Sequence, residues 1–238
     1  MRKFALVLTS LSTLGIAAST AQAQSVGDLA GWLALSTTPV GAMTPVVTNA
    51  MLGRVSKSYE MAGRFGHMSV DGAGFNSFGA SAAMPVSGFT LGGTLGYISP
   101  SCDGCDGNVM VGLNAETRMG ALKISDAKKN PNQITLGLRS DFGWAKPDQT
   151  TALSLSAGVP VTLVAHSGNI TFAPFITPGF GWGRLSATGA SESGTRFHMG
   201  AGVGVINAAN GWGVSVGMQK VFLDGAKSVF GLNLSYGK

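Results

Sequence analysis

Apolar and polar residues alternate one by one through most of the chain. The final stretch shows this clearly, with apolar side chains at Phe230, Leu232, Leu234 and Tyr236 separated by glycine, asparagine and serine. Members of such a set lie on one face of a β-strand, but each lies about 200° from the next around a helix. The pattern therefore predicts strands with one apolar and one polar face.

The same alternation recurs ten times and predicts ten strands. They are placed at residues 59–70, 78–84, 89–97, 109–116, 134–144, 153–163, 170–183, 197–205, 212–219 and 230–237. Many of these runs have about the nine to eleven residues that a tilted strand needs to cross a bilayer. The even count agrees with a bacterial barrel whose two ends face the same side of the membrane.

The connections between these strands fall into two kinds. Segments 85–88, 166–169 and 208–211 carry the Gly, Asn, Ser and Pro of tight turns, and all fall on one side of the sheet. Longer polar segments, 99–108 and 185–195, fall on the other side. Short periplasmic turns and longer extracellular loops are typical of transmembrane barrels. Segment 120–132 is long although it falls on the short side, so eight or twelve strands are the alternatives to ten.

Composition favours the same class. The mean hydropathy is +0.27 and charged residues make up only 11% of the chain, yet no stretch beyond the N-terminal region is apolar enough for a transmembrane helix. A chain that is apolar on average without apolar runs fits an all-β, antiparallel up-and-down transmembrane β-barrel. A secreted soluble β-sandwich is the alternative, because amphipathic strands alone do not separate the two. The net charge of +5 is dispersed, which argues against nucleic-acid binding.

The N-terminus has the pattern of a secretory signal peptide. Arg2 and Lys3 precede an apolar stretch at 4–18, and Ala21-Gln22-Ala23 supplies the small residues of a cleavage site. We therefore expect residues 1–23 to be removed on export.

Residues 24–58 fit no strand and are expected to form a lead segment before a barrel domain at 59–238. Leu29, Trp32 and Leu33 have helical spacing, and Thr44-Pro45 is suited to start a second helix carrying Val47, Met51 and Val55. A peripheral position is the favoured interpretation. An interfacial helix and a plug inside the lumen are the alternatives.

The closing sequence "FGLNLSYGK", the signal peptide and the alternation together resemble the small outer-membrane β-barrel superfamily of Gram-negative bacteria, which includes OmpA-like and OmpW-like barrels. The resemblance implies a location in the cell outer membrane, with outer-membrane lipid around the barrel. It also implies that the barrel-assembly machinery reads the last strand through Phe230, Leu232, Leu234 and Tyr236. The chain departs from the family in having Gly237 and Lys238 after the aromatic residue.

Aromatic residues are expected to form belts at the two membrane interfaces. The outer belt comprises Tyr97, Trp144, Trp182, Phe197, Phe222 and Phe230, and the inner belt comprises Phe89, Phe172, Trp212 and Tyr236. The register also directs a set of larger polar side chains into the lumen, namely Glu116, Arg118, Arg139, His198 and Gln219.

Candidate chemistry is sparse. Cys102 and Cys105, the chain's two cysteines, fall in a predicted extracellular loop and are expected to form a local disulfide. His67-Met68-Ser69 resembles the H-x-S element of outer-membrane lipid A deacylases, although Val70-Asp71 departs from that family. We expect no catalytic, metal or cofactor site. A structural or surface-interaction barrel is the favoured function, with a narrow pore for small solutes and an enzyme as alternatives.

Overall fold

The computed structural model describes residues 26–48, 50–52, 59–70, 73–101, 107–125, 131–146, 150–187, 189–222 and 228–237. Two helices come first, α1 (Val26–Thr37) and α2 (Pro39–Ala42). The strands are β1 (Glu60–Val70), β2 (Ala73–Val86), β3 (Phe89–Pro100), β4 (Asn108–Lys123), β5 (Gln133–Ala145), β6 (Thr151–Gly158), β7 (Val161–Ser167), β8 (Ile170–Ala187), β9 (Ala190–Asn207), β10 (Trp212–Val221) and β11 (Val229–Gly237). Neither helix is long and apolar enough to cross a membrane.

The strands form one closed antiparallel sheet. Consecutive strands pair around the sheet, and β11 pairs with β1, where Leu232 lies opposite Phe65 and Gly231 opposite Gly66. Closure satisfies the backbone of every barrel strand without leaving an edge in hydrocarbon. The architecture is an up-and-down barrel, so the alternative of a β-sandwich is wrong.

The barrel has ten strands because β6 and β7 are two parts of one. Both pair with β5 on one side and β8 on the other. They are separated at Val159-Pro160, since proline has no N–H to donate to the ladder. Two backbone hydrogen bonds carry the sheet past this point: Val159 N–H donates to the Pro178 carbonyl and Gly137 N–H to the Pro160 carbonyl, each at 2.9 Å. The prediction of ten strands is confirmed.

Two connections differ from the sequence-based expectation. Residues 185–195, expected to be a loop, continue the β8–β9 hairpin, with Leu185 opposite Glu192. The ladder continues there although the side chains no longer alternate in polarity, because backbone pairing does not need an apolar face. On the opposite rim, β4 extends to Lys123 through an irregularity between Arg118 and Gly120, which shortens the predicted long connection.

The two faces of the barrel differ as the alternation predicts. On β11, Phe230, Leu232 and Leu234 are about half exposed on the outside, whereas Asn233 is 1% exposed inside. The turn between β2 and β3 is tight, with positive φ at Ser87 (48°) and Gly88 (87°), as expected of a type I′ hairpin. This turn lies on the same rim as the start of β1 and the end of β11, and we assign that rim to the periplasm.

The N-terminal segment lies inside the barrel, so its expected peripheral position is wrong. We call the described part of residues 26–52 the plug. The plug packs against β6, β8 and β9 through α1, and Leu35 and Met43 are almost completely buried. The expected first helix is present as α1, but the expected helix after Thr44-Pro45 is not, because residues 44–48 have no helical structure. Val55 and the expected signal peptide at 1–23 lie outside the described residues.

Candidate functional site

The plug runs down the lumen from the extracellular half to the periplasmic rim. Gly31 of α1 lies against Gly183 and Gly194, near the extracellular ends of β8 and β9. At the other end, Met51 accepts a hydrogen bond from the hydroxyl of Thr135, and the Leu52 carbonyl accepts one from Gln133 at 3.3 Å. The lumen is therefore filled along most of its length by the chain's own N-terminal segment.

The upper half of the plug, residues 26–43, fits against glycines of the wall. A Cβ added at Gly181 would lie 2.7 Å from Cδ2 of Leu35, and one added at Gly96 would lie 2.7 Å from Cε of Met43. A Cβ at Gly143 would lie 2.7 Å from Cβ of Thr38. Such distances are too short for real Cβ atoms, so the glycines make room for the plug.

A few hydrogen bonds supplement this fit. The hydroxyls of Thr38 and Ser154 lie 2.6 Å apart. Ser77 Oγ donates to the Ala42 carbonyl at 2.6 Å, and Gln219 Nε2 donates to the Val40 carbonyl at 2.7 Å. The plug's backbone carbonyls thus find donors on the barrel wall, as buried carbonyls require.

The middle of the plug is held where the first and last strands meet. Arg64 of β1 and Asn233 of β11 are direct partners across the sheet, and both side chains point inward. Arg64 Nη2 donates to the Thr44 carbonyl at 2.5 Å, and Asn233 Nδ2 donates to the Pro45 carbonyl at 3.4 Å. These bonds use backbone groups that a helix would have occupied, which explains why residues 44–48 are not helical.

The lower half of the plug, residues 44–52, also contacts a cluster of buried charges. Arg139 donates to Asp141 through Nε at 2.9 Å and Nη2 at 2.7 Å, and its Nη1 lies 3.8 Å from Oε2 of Glu116. Thr48 Oγ1 of the plug donates to Glu116 Oε1 at 3.1 Å. With Arg64 nearby, two cations face two carboxylates in the lumen. Pairing of this kind is what stabilises charges in a barrel interior.

Space remains beside the plug in small cavities. One of about 100 Å³ opens near the periplasmic rim between the plug and β1, β2 and β11, and it is lined by Val47, Glu60, Arg64 and Tyr236 among others. Another of about 30 Å³ lies deeper, beside Thr177 and His198. Their volumes accommodate small molecules and water, respectively.

A family model described as "Outer membrane protein beta-barrel domain" matches residues 70–237. The chain belongs to this outer-membrane β-barrel family. The match covers well over half of the chain and agrees with the closed sheet and its apolar outer face. The protein is therefore an outer-membrane barrel that spans the membrane with its strands.

Solved structures of similar barrels have low sequence identity to this outer-membrane barrel. The N-terminal β-barrel domain of Pseudomonas aeruginosa OprF is 10% identical, with a TM-score of 0.36, and the match covers 77% of this chain and 98% of that one. Ail, the attachment invasion locus protein of Yersinia pestis, is 16% identical with a TM-score of 0.31, covering 76% and 97%. The outer membrane enzyme PagL is 14% identical with a TM-score of 0.36, covering 75% and 97%. No curated protein matches the sequence significantly.

The structure of the outer-membrane barrel places four of the five predicted lumen side chains together inside the wall. Glu116, Arg139, His198 and Gln219 are all at least nine-tenths buried. Arg118 is exposed instead. The physical reason is its place on the part of β4 that continues past the start of β3, next to the irregularity in pairing with β5.

Aromatic residues of the outer-membrane barrel cluster near each of its two rims. Near the extracellular rim, Phe197 lies 5.4 Å from Phe180 and 5.2 Å from Phe222, measured between ring centroids. Near the periplasmic rim, Trp212 and Tyr236 are 5.2 Å apart. Other members of the predicted belts are exposed or half-buried on the outer face, namely Phe89, Tyr97, Trp144, Phe172, Trp182 and Phe230.

Three other sequence features of the outer-membrane barrel have different outcomes. Phe230, Leu232 and Leu234 of the predicted assembly signal point outward, and Tyr236 is half-buried. Cys102 and Cys105 lie outside the described residues, so their disulfide stays a prediction. His67 is exposed on the outer face of β1, where its Nδ1 lies 2.9 Å from Oδ1 of Asn76.

Sequence reasoning directed Glu116 and Gln219 into the lumen but did not predict that residues there hold a plug in this outer-membrane barrel. The further residues in this role are Arg64 and Asn233 on the wall, with Thr44 and Thr48 on the plug, and Asp141 supports them by pairing with Arg139. One signal could have identified them: the polar face of the strands is unusually rich in glycine, and an interior lined by glycine leaves room for a further segment of chain. The plug is that segment.

Proposed function

We propose that the protein is a closed outer-membrane barrel whose role is structural or surface-interacting and does not involve conduction. The single observation that supports this proposal best is the plug, which occupies the lumen from the extracellular half to the periplasmic rim. A narrow pore would need a continuous water path along the same axis.

The nature of the plug contacts supports a permanent seal. The upper half packs on glycines at distances that leave no room for a methyl group. The lower half joins buried charges through Thr48, and moving it away would expose Glu116 without this hydrogen bond. Displacing the plug therefore requires the loss of both kinds of contact.

Planar-bilayer recording tests the proposal. The full-length protein, purified folded in detergent, is compared with a variant that lacks residues 26–52. We expect the full-length protein to be silent and the deletion variant to show discrete openings, because the deletion removes the material that fills the lumen. Discrete openings of equal size from both proteins would disprove the seal.

A second variant guards against misfolding of the deletion protein. Leu35→Ala and Met43→Ala together thin the upper half of the plug without shortening the chain. Heat-modifiable mobility on a gel establishes that each variant is a folded barrel before recording. We expect brief or smaller openings from the double variant; silence from a folded deletion variant would show that the wall itself closes the lumen.

Three further expectations belong to this proposal. We propose export through a signal peptide cleaved after Ala23, which a mass measurement on the mature protein tests. We propose that the outward side chains of Phe230, Leu232 and Leu234 contact the barrel-assembly machinery during insertion and lipid afterwards.

We also propose that the protein is not an enzyme. A screen of the purified protein for hydrolysis of outer-membrane lipid, with His67→Ala as the matched variant, tests this last point.

A further inference from the structure

The direction in which the plug crosses the lumen has a topological consequence. β1 starts at the periplasmic rim, at Glu60, and the end of the plug nearest to it in sequence is also periplasmic, at Met51 and Leu52. Going backwards along the chain, the plug climbs away from this rim. Its N-terminal end therefore lies in the opposite half of the barrel.

The heights of successive contacts on the wall show this climb. Val47 lies against Gly204, three residues from the periplasmic end of β9. Thr44 lies against Gly217 in the middle of β10, and against Gly231, the third residue of β11 counted from its extracellular end. Each step towards the N-terminus so far brings the plug nearer to the extracellular rim.

The upper contacts continue in the same direction. Leu35 lies against Gly181, and Ala34 lies against Gly183. Gly31 lies against Gly183 and against the backbone of Gly194 on the β9 arm of the extracellular hairpin. Because one helical residue rises about 1.5 Å, the five residues from Gly31 to Val26 carry the chain roughly 7 Å further along the axis of α1.

Trp32 supports the same placement through a contact with another strand, β10. It is buried and packs with Val221, the last residue of β10 at its extracellular end. A segment that merely entered the lumen from the periplasm and turned back would bring its N-terminal residues against the lower wall. Instead, α1 contacts the upper parts of β8, β9 and β10.

We propose that the plug threads the barrel completely, so that α1 begins at the extracellular mouth. The protein thereby brings the N-terminal end of α1 to the cell exterior, in addition to forming a barrel. The β8–β9 hairpin, the longest among the described strands, borders this mouth. The start of α1 and this hairpin together form part of the surface that faces the cell exterior.

Cysteine accessibility in intact cells tests this topology. Cys102 and Cys105 are first replaced by serine, and single cysteines are then introduced by Ser25→Cys, Ala190→Cys or Ala209→Cys. Ala190 is exposed at the tip of the extracellular hairpin, and Ala209 is exposed in the periplasmic turn between β9 and β10, so the two form a matched pair of controls. The probe is a membrane-impermeant maleimide, applied before and after the outer membrane is permeabilised.

We expect Ser25→Cys to react in intact cells at a rate within a few-fold of Ala190→Cys, whereas Ala209→Cys reacts only after permeabilisation. Reaction of Ser25→Cys only after permeabilisation would overturn the proposal. Failure to react under both conditions would also overturn it, because a residue that adjoins the start of α1 at the mouth is accessible to a small reagent. Mass measurement on the same samples establishes where the mature chain starts.

A second measurement uses the chain with its native Ser25. A protease recognition sequence is inserted between Gln24 and Ser25, and protease is added to intact cells. We expect cleavage there, while the same insertion in the periplasmic turn at Ala209 is protected. Both readouts are independent of conductance: a leaky barrel with an accessible terminus would refute the sealed lumen alone, and a silent barrel with a protected terminus would refute threading alone.

Discussion

The two halves of the plug differ in the wall groups that hold them in the same lumen. Both halves pack against wall glycines, as Leu35 does at Gly181 and Val47 at Gly204. The hydrogen bonds of the upper half, residues 26–43, go to neutral side chains of the wall, whereas the lower half, residues 44–52, also bonds to charged ones, with Thr44 bonded to Arg64 and Thr48 to Glu116. The difference shows that a lumen can be filled either by removing side chains from the wall or by pairing those that remain.

The two modes differ in how sensitive they are to substitution. Packing against a glycine is disrupted when a larger side chain replaces the glycine, whereas a charged cluster is destabilised when one of its members is removed. The following three predictions use this difference, in decreasing order of expected effect.

Arg139→Met is expected to have the largest effect. The substitution leaves Glu116 and Asp141 in the lumen without the guanidinium that bridges them, and removing one member of a buried ion pair costs about 3–5 kcal/mol. We expect the urea midpoint of unfolding in detergent micelles to fall accordingly. Arg118→Met is the matched control, because Arg118 is exposed, and it should change the free energy of unfolding by less than about 1 kcal/mol. Equal effects of the two variants would show that the cluster does not stabilise the fold.

Gly183→Val is expected to have an intermediate effect. Its Cβ would lie 2.9 Å from Cβ of Ala34 and 3.0 Å from the carbonyl carbon of Gly31, so the upper half of the plug must shift. Overpacking of this kind costs about 1–3 kcal/mol. Gly63→Val is the control, because a Cβ at Gly63, which lies on the exposed outer face, has no neighbour within 4 Å. If urea unfolding and bilayer recordings do not distinguish the two valine variants, the upper half is not held by shape.

The energetic coupling between Arg139→Met and Gly183→Val is expected to be the smallest of the three effects. Arg139 lies opposite Gly158, which lies opposite Gly179, and Gly183 is four residues further along β8, or about 13 Å at ~3.3 Å per residue. Sites so far apart without shared partners usually add within about 0.5 kcal/mol. A double-mutant cycle on the free energy of unfolding measures this term. A coupling above about 1 kcal/mol would show that the two halves of the plug act as one unit.

The barrel could be predicted from sequence because each strand carries its own signal. Alternation at Phe230, Leu232 and Leu234 is a local property, and the bilayer requires it of every strand. The prediction of one strand at 153–163 holds despite Pro160, because hydrogen bonds on either side of the proline continue the ladder. The hairpin at 185–195 was missed because strands beyond the membrane have no reason to alternate.

The plug could not be predicted in the same way because its signal is distributed between distant parts of the chain. The glycines at 96, 143 and 181 serve as a fitted surface only once Leu35, Thr38 and Met43 lie against them. Likewise, Thr44-Pro45 has the local character of a helix start, yet Arg64 and Asn233 bond the carbonyls that the helix needs. Local preference was overridden by contacts with residues 20 and 188 positions away along the chain.

The meeting of Arg64 and Asn233 also relates the plug to the order of assembly. These residues face each other where the last strand to be synthesised joins the first, and together they grip adjacent carbonyls of the plug, at Thr44 and Pro45. The bond from Arg64 can form once β1 is present, whereas the bond from Asn233 also requires β11. The Pro45 carbonyl therefore gains this wall donor only when β11 pairs with β1, so closure of the sheet and completion of this plug contact depend on the same strand.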